Sequence, residues 1–126
     1  MASGFIEISS DKCYSPRWTG FDETIRVILK ELKDINSTET TLSLIEFLKS
    51  RIPPANLNDG LEMGWGFIDE KNNDTVSRII EFTELSDIQI EIFWKAANTG
   101  YKKLVEFGED YSTLNPGLMK ELIDLK

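Results

Sequence analysis

Histidine is absent from this chain, and cysteine occurs only once, as Cys13. Without histidine, the commonest general base, the Ser–His and Cys–His catalytic couples and the usual zinc and copper ligands are all excluded. A single cysteine cannot form an internal disulfide, so nothing indicates an oxidising compartment. No catalytic motif surrounds Cys13, which favours the interpretation of a small, semi-buried thiol over that of a nucleophile.

The sequence also lacks long apolar runs and recognisable phosphate- or calcium-binding loops, and we expect no secretory leader. No segment reaches the roughly eighteen consecutive apolar residues of a membrane-spanning helix. The N-terminal stretch MASGFIEISSDK has neither a basic region nor a long apolar core, so we expect a cytoplasmic protein. Gly64 and Gly66 lie inside a strand pattern and not between a strand and a helix, which argues against a phosphate-binding loop. Lys71 occupies the third position of an EF-hand-like loop, where a calcium ligand is needed, which argues against a calcium site. We predict no cofactor, no metal site and no enzymatic activity.

Negative charge is what the chain has in excess, with a formal net charge of −8 at pH 7. Residues 59–91 hold nine acidic and two basic side chains, a net charge of −7, whereas the segments before and after them are close to neutral. Such a field repels nucleic acid and anionic membranes and attracts a basic protein. The alternative interpretation is a solvated surface that serves solubility.

The 126 residues have the length of one domain, and no repeat or linker divides them, so we predict a single domain over 1–126. The alternating FIEIS at 5–9 predicts a strand. The next segment predicts a helix that ends near Asp34, because one apolar stripe recurs at helical spacing. Its members are Phe21, Ile25, Ile28, Leu32 and Ile35. Asn115 followed by Pro116 predicts the start of a short C-terminal helix.

The middle of the chain is richer in strand patterns. Residues 38–52 fit either a helix that ends before Pro53 or a buried strand over 40–48, and the strand is favoured. Strands are also predicted over 61–69, 75–82, 87–94 and 101–107, with Gly100 in a hairpin loop, although a helix that starts at Ser86 is the alternative for 87–94. The predicted class is α+β: an antiparallel sheet of about five or six strands, with an N-terminal helix and a short C-terminal helix packed on it.

Trp65 and Trp94 follow the apolar faces of predicted strands, so we expect both in the core. Trp18 lies in a turn-rich segment beside Arg17 and is the tryptophan that we expect to be exposed. Exposed aromatic side chains next to carboxylates are typical anchors of protein interfaces.

The chain resembles the small acidic immunity proteins that bacteria encode beside polymorphic or contact-dependent growth inhibition toxins, including colicin-type nucleases. The likeness lies in size, acidity, the absence of catalytic residues, and the order of a helix such as WTGFDETIRVILKELKD followed by TTLSLIEFL, LEMGWGFID and TVSRIIEF. Such proteins bind one cognate toxin and block it, so the resemblance implies that the central carboxylates face a basic toxin, in particular a nuclease. The expected partner-binding residues are Asp59, Glu62, Asp69, Glu70, Asp74, Glu84, Asp87 and Trp18.

Two other functions stay open from the residues alone. One is a regulatory or adaptor domain for a different basic protein. The other is a carboxylate-dependent enzyme, which would need two or three acidic side chains to converge in a deep pocket. The oligomeric state and the site of inhibition on the toxin are left undetermined.

Overall fold

The computed structural model describes residues 3–35, 38–54, 59–63, 65–69 and 73–126. Within these ranges the chain forms six strands, four α-helices and three short 3-10 turns, which confirms the predicted α+β class. The strands are β1 (Phe5–Ser9), β2 (Lys12–Tyr14), β3 (Glu62–Met63), β4 (Gly66–Asp69), β5 (Asp74–Ser77) and β6 (Ile79–Glu81). The helices are α1 (Trp18–Leu32), α2 (Glu39–Lys49), α3 (Asp87–Phe107) and α4 (Pro116–Ile123). The 3-10 turns are Asp59–Leu61, Phe82–Glu84 and Gly108–Asp110.

The strands form two small sheets, so the prediction of one antiparallel sheet of five or six strands is wrong. One sheet has the order β2-β1-β6, and its β1–β6 pair is parallel; the other has the order β3-β4-β5 and is antiparallel. The predicted strand 75–82 is divided at Arg78, and each half joins a different sheet. Helix α1 is also not the first element, because β1 and β2 precede it.

Residues 38–52, for which a strand is favoured by the sequence, instead contain helix α2. The Thr38 side chain accepts a hydrogen bond from the Thr41 backbone N–H at 3.2 Å and thereby caps the helix. Leu44 and Leu48, one turn apart, are fully buried. Packing of this apolar stripe against the rest of the core outweighs the weak strand preference of the threonines.

The predicted strands 87–94 and 101–107 are both wrong, because they lie in the single 21-residue helix α3. Ser86 and Gln89 form a reciprocal capping box at its start, which bears out the alternative of a helix from Ser86. Gly100 is a helical residue and not part of a hairpin loop. A Cβ atom at this position would lie 2.6 Å from Cγ1 of Val27, so glycine lets α3 approach α1 closely.

The core lies between the helices and the inner face of the β2-β1-β6 sheet. Helix α1 contacts the other three helices, and Ile6, Tyr14 and Ile80 contribute buried side chains from the sheet. Phe82, Phe93 and Trp94 pack edge to face with ring centroids 5.1–5.6 Å apart, which confirms the core position of Trp94.

The C-terminal helix starts as predicted. The Asn115 side chain accepts a hydrogen bond from the Gly117 backbone N–H at 2.8 Å, and Pro116 occupies the first turn. Met119 and Leu122 dock α4 on the core. Among the described residues, no helix is long and apolar enough to cross a membrane.

Candidate protein-binding surface

The nine carboxylates of residues 59–91 are divided among several parts of the fold. Asp69 and Asp74 are Cα partners at the end of the β4–β5 ladder, and Asp74 is exposed. Asp59 belongs to the first 3-10 turn, with its side chain outside the described part of the chain, and Glu70 falls wholly outside the described residues. Glu84 and Asp87 lie further on, around the start of α3, and both are exposed.

Glu62 and Trp18 meet at a buried cation, Arg78. An oxygen of the Glu62 carboxylate accepts a hydrogen bond from Nη2 of Arg78 at 2.5 Å. The Arg78 guanidinium carbon lies 5.0 Å from the centre of the Trp18 ring, which is itself only partly exposed. Both predicted partner-binding residues are therefore engaged inside this protein, and Glu62 has little charge left to offer a partner.

All five N–H groups of Arg78 have acceptors, although its side chain is fully buried. Nε and Nη2 donate to the two Asp22 carboxylate oxygens at 2.8 and 3.1 Å. Nη1 donates to the backbone oxygens of Met63 and Gly66, and the second Nη2 hydrogen goes to Glu62. Arg78 thus ties the β3-β4-β5 sheet to α1 in a fixed position.

Opposing effects act on the titration of this ion cluster. Burial raises the pKa of Asp22, and the hydrogen bonds and charge of Arg78 offset this increase only in part. Desolvation lowers the pKa of Arg78, but its hydrogen bonds to Asp22 and Glu62 outweigh that effect and raise it. The guanidinium therefore stays charged and fills the space on which the two carboxylates converge.

A second buried carboxylate, Glu31, joins α1 to α3 and the turn beyond it. One oxygen accepts a hydrogen bond from Nζ of Lys103 at 2.9 Å, and the other accepts one from the Tyr111 hydroxyl. The hydrogen bond to Glu31 raises the pKa of Lys103, whereas desolvation, followed by the hydrogen bond to Glu31, raises the pKa of Tyr111. The side chain of Glu31 is 3% exposed, so this carboxylate contributes to the packing of α1 and not to the surface charge.

The outer face of the β2-β1-β6 sheet carries two matched pairs of side chains. We define the outer sheet face by Phe5, Glu7, Cys13, Ile79 and Glu81, which all point away from the helices. Phe5 and Ile79 are neighbours in the parallel ladder and are each 40% exposed. Glu7 and Glu81 are the next pair of neighbours, and both are exposed. The result is an apolar pair beside an acidic pair on a solvent-facing sheet.

Further acidic side chains follow Glu81 along the chain. Glu84 lies in the 3-10 turn that contacts β1, Asp87 in the first turn of α3, and Glu91 one helical turn later. Between Arg78 and Lys95 the sequence has no basic residue. We group Glu7 and Glu81, which are ladder neighbours, with the three acidic residues that follow in the chain, Glu84, Asp87 and Glu91, under the name acidic strip. Of its members, Glu84 lies 3.7 Å from Arg51, an exposed ion pair of little strength.

Cys13 lies opposite Glu7 in the β1–β2 ladder and is exposed. Desolvation, together with the Glu7 charge, raises the pKa of the thiol, which disfavours the thiolate. No group of three or more potential metal-ligating side chains occurs among the described residues.

Several residues of this surface were missed by the sequence analysis. One pattern, two apolar residues followed by a glutamate, occurs both at 5–7 (FIE) and at 79–81 (IIE). This repeated pattern is the signal from which the pairing of Phe5 with Ile79 and of Glu7 with Glu81 could have been predicted. Trp65, expected in the core, lies in the turn between β3 and β4 and is 48% exposed, so that prediction is wrong. No local signal marked Arg78 as buried.

Compared with protein-family models, curated proteins and solved structures, the chain matches none of them.

Proposed function

We propose that this chain is a protein-binding domain of the immunity type, which neutralises a basic toxin, in particular a nuclease domain, by covering a cationic surface with its acidic strip. The observation that carries the proposal is the side-by-side placement of Glu7 and Glu81 on the outer sheet face. Neighbouring strands lie about 4.8 Å apart, so these carboxylates repel each other. Neither has an ion-pair partner among the described residues.

This repulsion is relieved when a partner supplies lysine or arginine. A nuclease needs such residues to neutralise phosphates, and an acidic partner then gains steered, salt-sensitive association. Phe5 and Ile79 would supply the apolar contacts that hold the complex after the encounter, because desolvated central contacts dominate interface affinity. The resemblance to acidic immunity proteins supports a toxin as this partner.

A charge-reversal pair of variants tests the acidic strip. The strip variant carries Glu7→Lys, Glu81→Lys and Asp87→Lys. A control with the same change in net charge carries Lys at three exposed positions elsewhere, namely Glu106, Glu109 and Glu121. The ligand is the protein encoded by the neighbouring gene, immobilised for association-rate measurements at low and physiological salt. Growth rescue in cells that express that protein is measured in parallel.

We expect the wild type to bind and to restore growth. The strip variant should associate at least tenfold more slowly at low salt, while the control stays within about threefold of the wild type, because steering depends on where charge lies. Equal slowing of association in both variants would show that only the net charge matters and would refute a specific role of the acidic strip. Binding without rescue would instead support an adaptor for a basic protein.

The hairpin end with Asp69 and Asp74 is a second candidate surface, because two carboxylates also face each other across that ladder. Asp69→Lys with Asp74→Lys tests it in the same assay. We expect a smaller effect than for the strip, since Asp69 and Asp74 belong to a different sheet from Glu7 and Glu81, beyond the bend at Arg78. An enzyme is disfavoured by the Arg78 cluster, in which the two converging carboxylates, Asp22 and Glu62, are already neutralised.

A further inference from the structure

The parallel pairing of β1 with β6 arranges four outward-facing side chains in two rows. Phe5 lies beside Ile79, and Glu7 lies beside Glu81 two residues further along the strands. Each row spans two neighbouring strands about 4.8 Å apart, and the rows follow each other at roughly 6.6 Å along the strands. The residues between the rows are buried in the core, so all four side chains share the outer face. We call this set of four residues the outer patch.

The acidic row of the outer patch can be bridged by one guanidinium group. The strand register holds Glu7 and Glu81 side by side, so both carboxylates can reach a cation placed between them. Neither carboxylate forms an ion pair within the described part of the chain. Arginine carries five N–H donors in a planar fork, and its hydrogen bonds to carboxylates are charge-assisted. One arginine therefore supplies enough donors for both glutamates and removes the repulsion between them.

The apolar row of the outer patch matches the remainder of an arginine side chain. Phe5 and Ile79 are each 40% exposed, so they offer apolar surface beside the acidic row. Arginine lays its three-carbon stem along apolar surface while its charged head stays with polar groups. Its guanidinium is also more weakly hydrated than the lysine ammonium, and it stacks on aromatic rings. Arginine thus fits both rows of the patch, whereas lysine meets the acidic row only as a point charge.

We propose that the outer patch binds a single arginine side chain of the partner protein. The guanidinium lies between Glu7 and Glu81 and donates hydrogen bonds to both carboxylates, and the stem lies along the strands over Phe5 and Ile79. A second copy of this chain is a poor occupant, because each copy carries a net charge of −8. This inference rests on the proposed function for the basic character of the partner, and it names the type of residue that anchors that partner.

NMR titration of the intact wild-type chain tests the outer patch without the partner. The probes are the Nα-acetyl amides of arginine, of lysine and of citrulline, whose urea group resembles the guanidinium in shape but carries no charge. We expect the arginine probe to shift the amide signals of β1 and β6 and to bind at least threefold more tightly than the lysine probe, because only arginine has the planar fork. The citrulline probe should cause no shift. Equal affinities for arginine and lysine, shifts centred on other carboxylates, or no saturable shift would each overturn the proposal.

Glu7→Gln and Glu81→Gln, made one at a time, test whether both carboxylates hold the probe. The matched control is Glu106→Gln, which removes the same charge from an exposed position of α3. We expect each patch variant to bind the arginine probe about fivefold more weakly and the control to stay within about twofold of the wild type. A loss in only one patch variant would indicate a simple ion pair and refute the bridge. Nuclear Overhauser effects from the probe methylenes to Phe5 and Ile79 should locate the stem, and their absence would refute its placement.

Binding kinetics with the protein of the neighbouring gene separate this inference from the proposed function. An anchor that is desolvated in the complex acts mainly on dissociation, whereas steering charges act mainly on association. We expect Glu81→Gln to raise the dissociation rate constant at least tenfold, and Glu91→Gln, an equal loss of charge elsewhere on the acidic strip, to leave it within about twofold. If Glu81→Gln leaves dissociation unchanged while the strip variant associates slowly, the acidic strip stands and the arginine anchor is refuted. If that protein does not bind at all while the arginine probe binds the outer patch, the arginine site stands and the toxin assignment is refuted.

Discussion

Removal of Arg78 alone should destabilise this protein far more than removal of the ion cluster as a unit. In Arg78→Met, the Asp22 carboxylate, whose side chain is 4% exposed, loses both of its hydrogen-bond donors from Arg78 and must be buried as an unpaired charge or take up a proton. Breaking a buried pair in this way costs about 3–5 kcal/mol. Glu62 adds little to the loss, because its side chain is 24% exposed and can be solvated.

The double variant Arg78→Met, Asp22→Leu removes the orphaned charge as well. Replacement of a buried ion pair by apolar residues is often neutral, but here the Met63 and Gly66 carbonyls also lose their Arg78 donors. Each unsatisfied carbonyl costs about 1 kcal/mol or more; Arg78→Met loses the same two donors, and its total of about 3–5 kcal/mol already includes this cost. We therefore expect the double variant to be about 1–3 kcal/mol less stable than wild type, and thus more stable than Arg78→Met by about 2 kcal/mol.

Urea unfolding followed by circular dichroism measures these differences. With a slope of about 1–3 kcal/mol per molar urea, Arg78→Met should lower the midpoint by roughly 2 M. The surface control is Lys120→Met, which breaks the exposed ion pair with Asp124 and should cost less than about 0.5 kcal/mol. The reasoning is refuted if Arg78→Met costs less than about 1 kcal/mol, or if the double variant is no more stable than Arg78→Met.

Three further changes test the packing and titration of the helices. Burial raises the pKa of Tyr14 to about 12, so the neutral phenol stabilises the folded state fully below pH 10, and this contribution is lost as the pH rises towards 12. In Tyr14→Phe, the free energy of unfolding should therefore fall less between pH 10 and pH 12 than in the wild type, by up to about 2.7 kcal/mol. Gly100→Ala should destabilise by about 1 kcal/mol despite its higher helix propensity, because of the contact with Val27, and Val27→Ala should rescue it. Ser86→Ala should cost about 1 kcal/mol through the lost cap of α3, whereas Ser86→Asp should not; equal costs would contradict the capping role. Urea unfolding measures all three.

Strand β1 and helices α1 and α4 could be predicted because their signals are local. Alternation of apolar residues, one stripe at helical spacing and an Asn–Pro start each need only a few neighbours along the chain. Helix α3 was predicted as strands because its local signal is misleading: Ile88, Ile90 and Ile92 alternate with polar residues, as in a strand. The side chains that α3 buries are instead spaced three and four apart, as in Phe93 and Ala97, and only packing against α1 decides between the two patterns.

The amino-acid sequence by itself determined the chemistry that is open to this protein: no histidine, one thiol and a concentration of carboxylates in the middle of the chain. Only the tertiary structure decided how those carboxylates are used. Arg78 draws Asp22 and Glu62 into the interior, whereas the parallel pairing of β1 with β6 sets Glu7 beside Glu81 on an exposed face. Both arrangements join residues that are remote along the chain, and the free energy of such contacts depends on burial and strand register, which no local pattern of residues records.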